Sequence, residues 1–184
     1  MNEMILDNPE ELSPIINENA WISKTAVIVG DVTIADDVFV APNAVIRADE
    51  PGSSIVIGNG CNVQDNVVIH SLSNSLVMIG SSTSLAHGCI VHGPCRIGEG
   101  CFVGFGAVVF DCIIGNDTLV LHNATVRGVE IPSGKVVQDG ETITKQEDAG
   151  GLMNITQELA DFKEGVIKIN RALVKAYKKH AKDV

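Results

Sequence analysis

Residues 79–103 read IGSSTSLAHGCIVHGPCRIGEGCFV, with aliphatic side chains at Ile79, Leu85, Val91, Ile97 and Val103. The interval is six residues throughout, which is neither the 3.6-residue period of a helix nor the simple alternation of an ordinary strand. Upstream, the same period runs through Ile22, Ile28, Ile34, Val40 and Ile46, then Ile57, Val63 and Ile69. Downstream it continues through Val109, Ile114, Val120, Val126, Ile131 and Val137, shortened to five residues before Ile114 and before Ile131. Glycine often follows the aliphatic, as in Ile57-Gly58, Ile79-Gly80 and Ile97-Gly98. Such a unit is a short strand followed by a corner. Three of them close a triangular coil of about eighteen residues, and stacked coils bury the aliphatics in a continuous column. The span from Ile22 to Val137 holds about six to seven coils. The expected fold class is an all-β solenoid, a parallel β-helix.

Composition agrees with a core of this kind. Hydrophobic residues make up 45% of the chain but aromatics only 4%, so small and β-branched aliphatics must fill the interior. The formal net charge of −10 opposes phosphate backbones and anionic headgroups, and neither nucleic acid nor a membrane is an expected partner. No run approaches the roughly 20 apolar residues that span a bilayer. Five cysteines is an odd number, and residues 1–21 hold no apolar secretion core, which together predict a reduced, cytoplasmic protein. Each cysteine lies two residues before a core aliphatic, where Ala26, Ala44, Ala107 and Ala124 stand elsewhere, so a structural role at a corner that takes small side chains is expected.

Breaks in a solenoid's period must protrude as loops. Asp49 to Ser54 forms one break and Ser71 to Ser75 another. Beyond Gly140 the pattern changes to steps of three and four at Leu159, Phe162, Val166, Ile169, Leu173 and Tyr177. This predicts an amphipathic helix from Asn154 to about Lys179, capped by Asn154 or Thr156, with its apolar stripe on the β-helix wall. The chain thus divides into a β-helix domain with an N-terminal lead-in, 1–140, and a linker with a C-terminal helix, 141–184.

Counting sides places the histidines. Ile57, Val63 and Ile69 occupy sides one, two and three, and Ile79, Leu85 and Val91 the same sides one coil later, with residues 71–75 as an inserted loop. His70 and His92 then both follow the side-three aliphatic and stack at about 4.8 Å. His87 belongs to side two and faces elsewhere. Around a threefold axis, side two of one subunit can face side three of the next, bringing three imidazoles together, the ligand set of a catalytic zinc site with an open fourth position. The alternative is that stacked histidines are merely tolerated on a solvated face. His122 lies two coils beyond His87, and His180 lies near the terminus; neither joins the set.

Arg47-Ala48-Asp49-Glu50, Asn62-Val63-Gln64-Asp65, His70, Ser84-Leu85-Ala86-His87 and Val91-His92-Gly93-Pro94, in that order, resemble the gamma-class carbonic anhydrases. General crossover chirality would make the coil right-handed; the resemblance implies a left-handed parallel β-helix with a C-terminal α-helix. It also implies a homotrimer with a metal at each subunit interface, bound by His70 and His92 of one chain and His87 of the next. The metal implied is zinc, with ferrous iron or cobalt as alternatives, and the reaction is reversible hydration of carbon dioxide to bicarbonate by a metal-bound hydroxide. Gln64 matches a glutamine that orients the bound water or bicarbonate, and Asn170 matches an asparagine near the active site. Arg47, Asp49 and Asp65 match residues that pair across the trimer interface. Where the archaeal enzymes carry a shuttle glutamate on a longer acidic loop, this chain has Ser73, which leaves Glu50 as the candidate proton relay.

Two other functions are compatible with a hexapeptide solenoid. A hexapeptide acyltransferase using acyl-CoA accounts for the repeats but gives no reason for Arg47, Gln64, Asp65 and the three histidines together. A metal-binding trimeric assembly protein with little turnover fits the missing acidic loop.

Overall fold

The computed structural model describes residues 4–182; residues 1–3 and 183–184, the outer ends of the two segments expected above, lie outside it. The chain winds into a left-handed parallel β-helix of about seven turns, followed by a long C-terminal helix. Each side contributes one inward column. On side one the ladder is entirely isoleucine, in the order Ile16, Ile34, Ile57, Ile79, Ile97, Ile114 and Ile131. Side two stacks Ile22, Val40, Val63, Leu85, Val103, Val120 and Val137. Side three stacks Ile5, Ile28, Ile46, Ile69, Val91, Val109, Val126 and Ile143. Identical side chains in register repeat one rotamer down the column, which suits stiff β-branched residues.

The solenoid begins earlier than Ile22. Strands Ile5–Leu6 and Ile15–Ile16 pair with the next coil, so the lead-in is itself coiled. Corners are tight: Asn66, Gly88, Gly106 and Asn123 all have φ near +60°. Glycine also lets coils touch. A Cβ on Gly80 would sit 2.6 Å from the Gly98 carbonyl carbon and the Glu99 nitrogen. Leu85, fully buried between Val63 and Val103, has no room to be replaced by collapse. Leu85→Ala is expected to cost about 2–5 kcal/mol, read as a lower urea midpoint at unchanged slope.

The segment expected as a linker is largely structured. Strand Thr142–Ile143 continues side three, and a short helix, α1 (Gln146–Gly150), closes the C-terminal end by burying Ala149 and placing Leu152 on the core. Met153–Asn154 then adds an antiparallel strand against Lys135–Val137. The long helix, α2, spans Gln157–Lys182, and Thr156 Oγ1 accepts from Leu159 N at its start. Asn154 is therefore a strand residue and Thr156 the cap.

The face that α2 packs on side two coincides only in part with the apolar stripe. Leu159 and Val166 pack on Ala86, Phe102, Leu119 and Val136, and Val174 on Phe39 and Ala41. Lys163 and Asn170 are buried with them, whereas Phe162, Ile169 and Leu173 are exposed. The reason is polar pairing: Lys163 Nζ reaches Asp117 at 2.7 Å, and Asn170 reaches Gln64. Tyr177 stacks on Trp21, which stacks on Phe39, fixing the far end of the helix. No helix among the described residues is long and apolar enough to cross a membrane.

Candidate metal centre

The outward column of side three runs Val29, Arg47, His70, His92, Phe110, Arg127. His70 and His92 are direct register partners, and His70 Nδ1 lies 3.1 Å from His92 Nε2. The other nitrogens of the two rings differ in how they are engaged. His92 Nδ1 lies 3.2 Å from the Gly93 carbonyl oxygen. His70 Nε2 is buried without a well-formed hydrogen bond, 3.4 Å from Asp49 Oδ1 and 3.7 Å from Glu50 Oε1.

His87 leaves the end of the Ser84–Leu85 strand on side two, and Gly88, at φ +68°, turns the chain immediately after it. Its Nδ1 lies 2.9 Å from Asp65 Oδ2, the ring is half exposed, and Phe105 flanks it at 5.5 Å. Among the described residues, no three His, Cys, Asp or Glu side chains of one chain converge as a metal site. The structure thus brings His70 and His92 together and leaves His87 apart from them. His122 is engaged otherwise, stacked on Phe105 at 4.3 Å and accepting from Phe105 N through Nδ1. His180 lies on the exposed last turns of α2.

The donor set fits a divalent transition metal. Two ligand nitrogens 2.0–2.1 Å from a tetrahedral ion stand about 3.3 Å apart, close to the 3.1 Å between His70 Nδ1 and His92 Nε2. Metal-binding histidines characteristically direct the other ring nitrogen to a carboxylate or a backbone carbonyl. Asp49, Gly93 O and Asp65 stand in that position for His70, His92 and His87. Neutral imidazole suits zinc, iron and cobalt alike.

The surrounding carboxylates are committed within the chain. Arg47 Nε and Nη2 grip Asp49 at 3.1 and 3.0 Å. Burial raises the Asp49 pKa, but the Arg47 hydrogen bond and charge outweigh it and hold the carboxyl below its ordinary value. Glu50 Oε2 accepts from both the Oγ and the N of Ser73, at 2.6 and 2.7 Å, and these bonds depress its pKa. Ser73 thus ties the Ser71–Ser75 loop to the residue expected as a relay.

Gln64 is gripped from two sides. Its Nε2 donates to Asn170 Oδ1 at 2.7 Å and to Asn62 Oδ1 at 3.1 Å. Asn62 in turn donates to Ser84 Oγ at 2.6 Å, and Asn170 Nδ2 to Val166 O at 2.9 Å. With both amide hydrogens of Gln64 spent, only Oε1 is left to face a ligand. Asn62 and Ser84, both buried, are site residues that sequence reasoning passed over. The signal was present: they interrupt a column of otherwise apolar residues, Trp21, Phe39, Phe102, Leu119 and Val136, beneath α2.

Similarity to known proteins agrees with this geometry. The family model described as bacterial transferase hexapeptide (six repeats) matches residues 13–48 and 77–110. A carbonic anhydrase of Methanosarcina thermophila is 35% identical, over 93% of this chain and 77% of its own length. The carboxysome assembly protein CcmM of a Nostoc species is 39% identical over 88% of this chain, which spans only 31% of that longer protein. A solved hexapeptide transferase family protein of Anaplasma phagocytophilum superposes with a TM-score of 0.83 at 27% identity, covering 96% of this chain and 99% of that one. With the stacked histidines, the clamped glutamine and a relative of this identity over nearly the full chain, the protein belongs to the gamma-class carbonic anhydrase family of hexapeptide-repeat proteins.

Proposed function

We propose that the protein interconverts carbon dioxide and bicarbonate at a metal held between subunits of a homotrimer, by His70 and His92 of one chain and His87 of the partner subunit. The observation that carries this reading is the imidazole pair at 3.1 Å, on the same chain as a third histidine, with His92 and His87 each directing a ring nitrogen to a fixed acceptor. The ion supplies Lewis acidity that makes water nucleophilic near neutral pH. Gln64 does the orienting: Oε1 accepts the nucleophile's proton in a hydrogen bond and turns a lone pair toward the carbon, and Asn62 and Asn170 keep the amide from flipping. Asp49 holds the His70 ring, and Arg47 keeps Asp49 ionised. Glu50 has one oxygen toward His70 and the other on Ser73, a position that supports its reading as the group that passes a proton outward.

Trimerisation is supported by a second outward column on side three, Val27, Val45, Val68, Ile90 and Val108, which would otherwise place β-branched aliphatics in water. Sedimentation should give three times the 19.5 kDa chain mass. A stable, metal-replete monomer at micromolar concentration would overturn the shared site.

The deciding experiment is metal analysis after anaerobic purification, then carbon dioxide hydration with zinc, iron or cobalt restored. Metal-loaded trimer without hydration above buffer would favour the assembly role, a reading the CcmM likeness supports. Thiol release from acetyl-CoA with amine or hydroxyl acceptors would instead favour an acyltransferase.

A further inference from the structure

The five cysteines share one position in the repeat but not one environment. Cys61 and Cys101 lie in a corner column with Thr83 between them, whose Oγ1 accepts from Cys101 N at 3.1 Å. Cys89 stands in a column between Val67 and Ala107. Cys95 and Cys112, by contrast, are register partners in consecutive coils, with their sulfurs 3.6 Å apart. Their column is otherwise Val32, Ile55 and Val77, so a need for small side chains, the reason expected from sequence, does not apply here. Both also line an open cavity of about 1280 Å³, together with Pro94, Arg96, Asp111 and Ile113.

We propose that Cys95 and Cys112 form a redox-modification site, oxidised by hydrogen peroxide to a reversible disulfide that links consecutive coils. Register partners on parallel strands have Cα atoms about 4.8 Å apart, inside the range a disulfide spans. One sulfur, as thiolate, attacks the peroxide O–O bond and becomes a sulfenic acid, releasing the first water. The second sulfur displaces the sulfenic oxygen as the second water and forms the S–S bond. Two electrons pass from the two sulfurs to the peroxide, and both thiol protons leave in the waters. Both side chains are buried in the core, and the open cavity borders the coil wall that carries them, so oxidation needs only a local opening on that side. The bond closes a ring of one coil, 17 residues apart in sequence, three residues beyond His92.

The remaining cysteines are internal controls. None has a sulfur in the neighbouring coil; burial pushes the thiols of Cys61, Cys89 and Cys101 up, and the Cys112 hydrogen bond and burial push that of Cys95 up as well, so it is the adjacent sulfur that sets the pair apart. The full chain is treated with hydrogen peroxide under native conditions, then unfolded in an alkylating agent and weighed. Free thiols should fall from five to three, with a loss of about 2 Da mapped to the Cys95 and Cys112 peptides and reversed by dithiothreitol. The oxidised form should melt several degrees higher, because the ring constrains the unfolded chain. Cys112→Ser should abolish the mass loss, as should Cys95→Val, which matches Val77 in the same column and guards against a folding defect. Cys89→Ala should leave it intact. Persistence of five thiols, a bond mapped to another pair, or oxygen addition in place of hydrogen loss would overturn the proposal.

Discussion

A His87→Ala chain is expected to fold normally yet lose metal by more than the 10–100-fold that removal of an outer-shell partner costs, because a ligand itself is gone. Folding survives because Leu85, Val63 and Val103 beneath are untouched, while His87 is half exposed. The sharper test mixes this chain with a His70→Ala chain. In a cyclic trimer containing both, one interface in three joins an intact His70–His92 pair to an intact His87. Random reassembly should therefore restore about a quarter of wild-type metal content and hydration. Parent trimers alone should restore none. If no mixture recovers metal, the ligands do not come from two chains.

The second large effect separates orientation from proton export. Gln64→Ala should reduce hydration about 100-fold at every buffer concentration, since a misplaced nucleophile is not repaired by a soluble base. Glu50→Gln should behave differently. The amide can still accept the two Ser73 bonds, so the loop stays in place, but the carboxylate is lost. The Ser73 bonds lower the Glu50 pKa below its usual value, so the group is ionised throughout the neutral range and holds a proton weakly. The wild-type rate should therefore be slow in dilute buffer and climb with imidazole at fixed pH and ionic strength, because a proton acceptor must lie within reach of its proton. Glu50→Gln should lower the rate about tenfold at low buffer and recover at high buffer. A high, buffer-independent rate that ignores Glu50→Gln would place the exit route elsewhere.

What sequence could reveal follows from where information is stored in a solenoid. The hexad period exposes the core because every inward residue returns at a fixed interval, and treating residues 71–75 as an insertion is enough to set His70 opposite His92. The same logic reached too short a distance upstream: Ile5, Ile16 and Ile22 are spaced eleven and six, the rhythm of Ile46, Ile57 and Val63, and they too are coiled. The face of α2 was legible only in part, through Leu159, Val166 and Tyr177. A helical stripe selects Phe162, Ile169 and Leu173, but burial goes to Lys163 and Asn170 because Asp117 and Gln64, far away in sequence, supply partners. Corner chemistry was likewise hidden, since Cys95 and Cys112 look like the other cysteines until register shows them adjacent.

The bond from Gln64 to Asn170 spans 106 residues, whereas coils pair with neighbours about one turn away in sequence. During synthesis the coils can stack as they emerge, one upon the last, with both stacked histidines in place early. Gln64 gains its second clamp only after every coil has been made and α2 has come back to lie on side two. Completion of the site is thus timed by an element translated after all the coils, and a chain cut short before α2 would be a well-formed solenoid with an unsteadied glutamine.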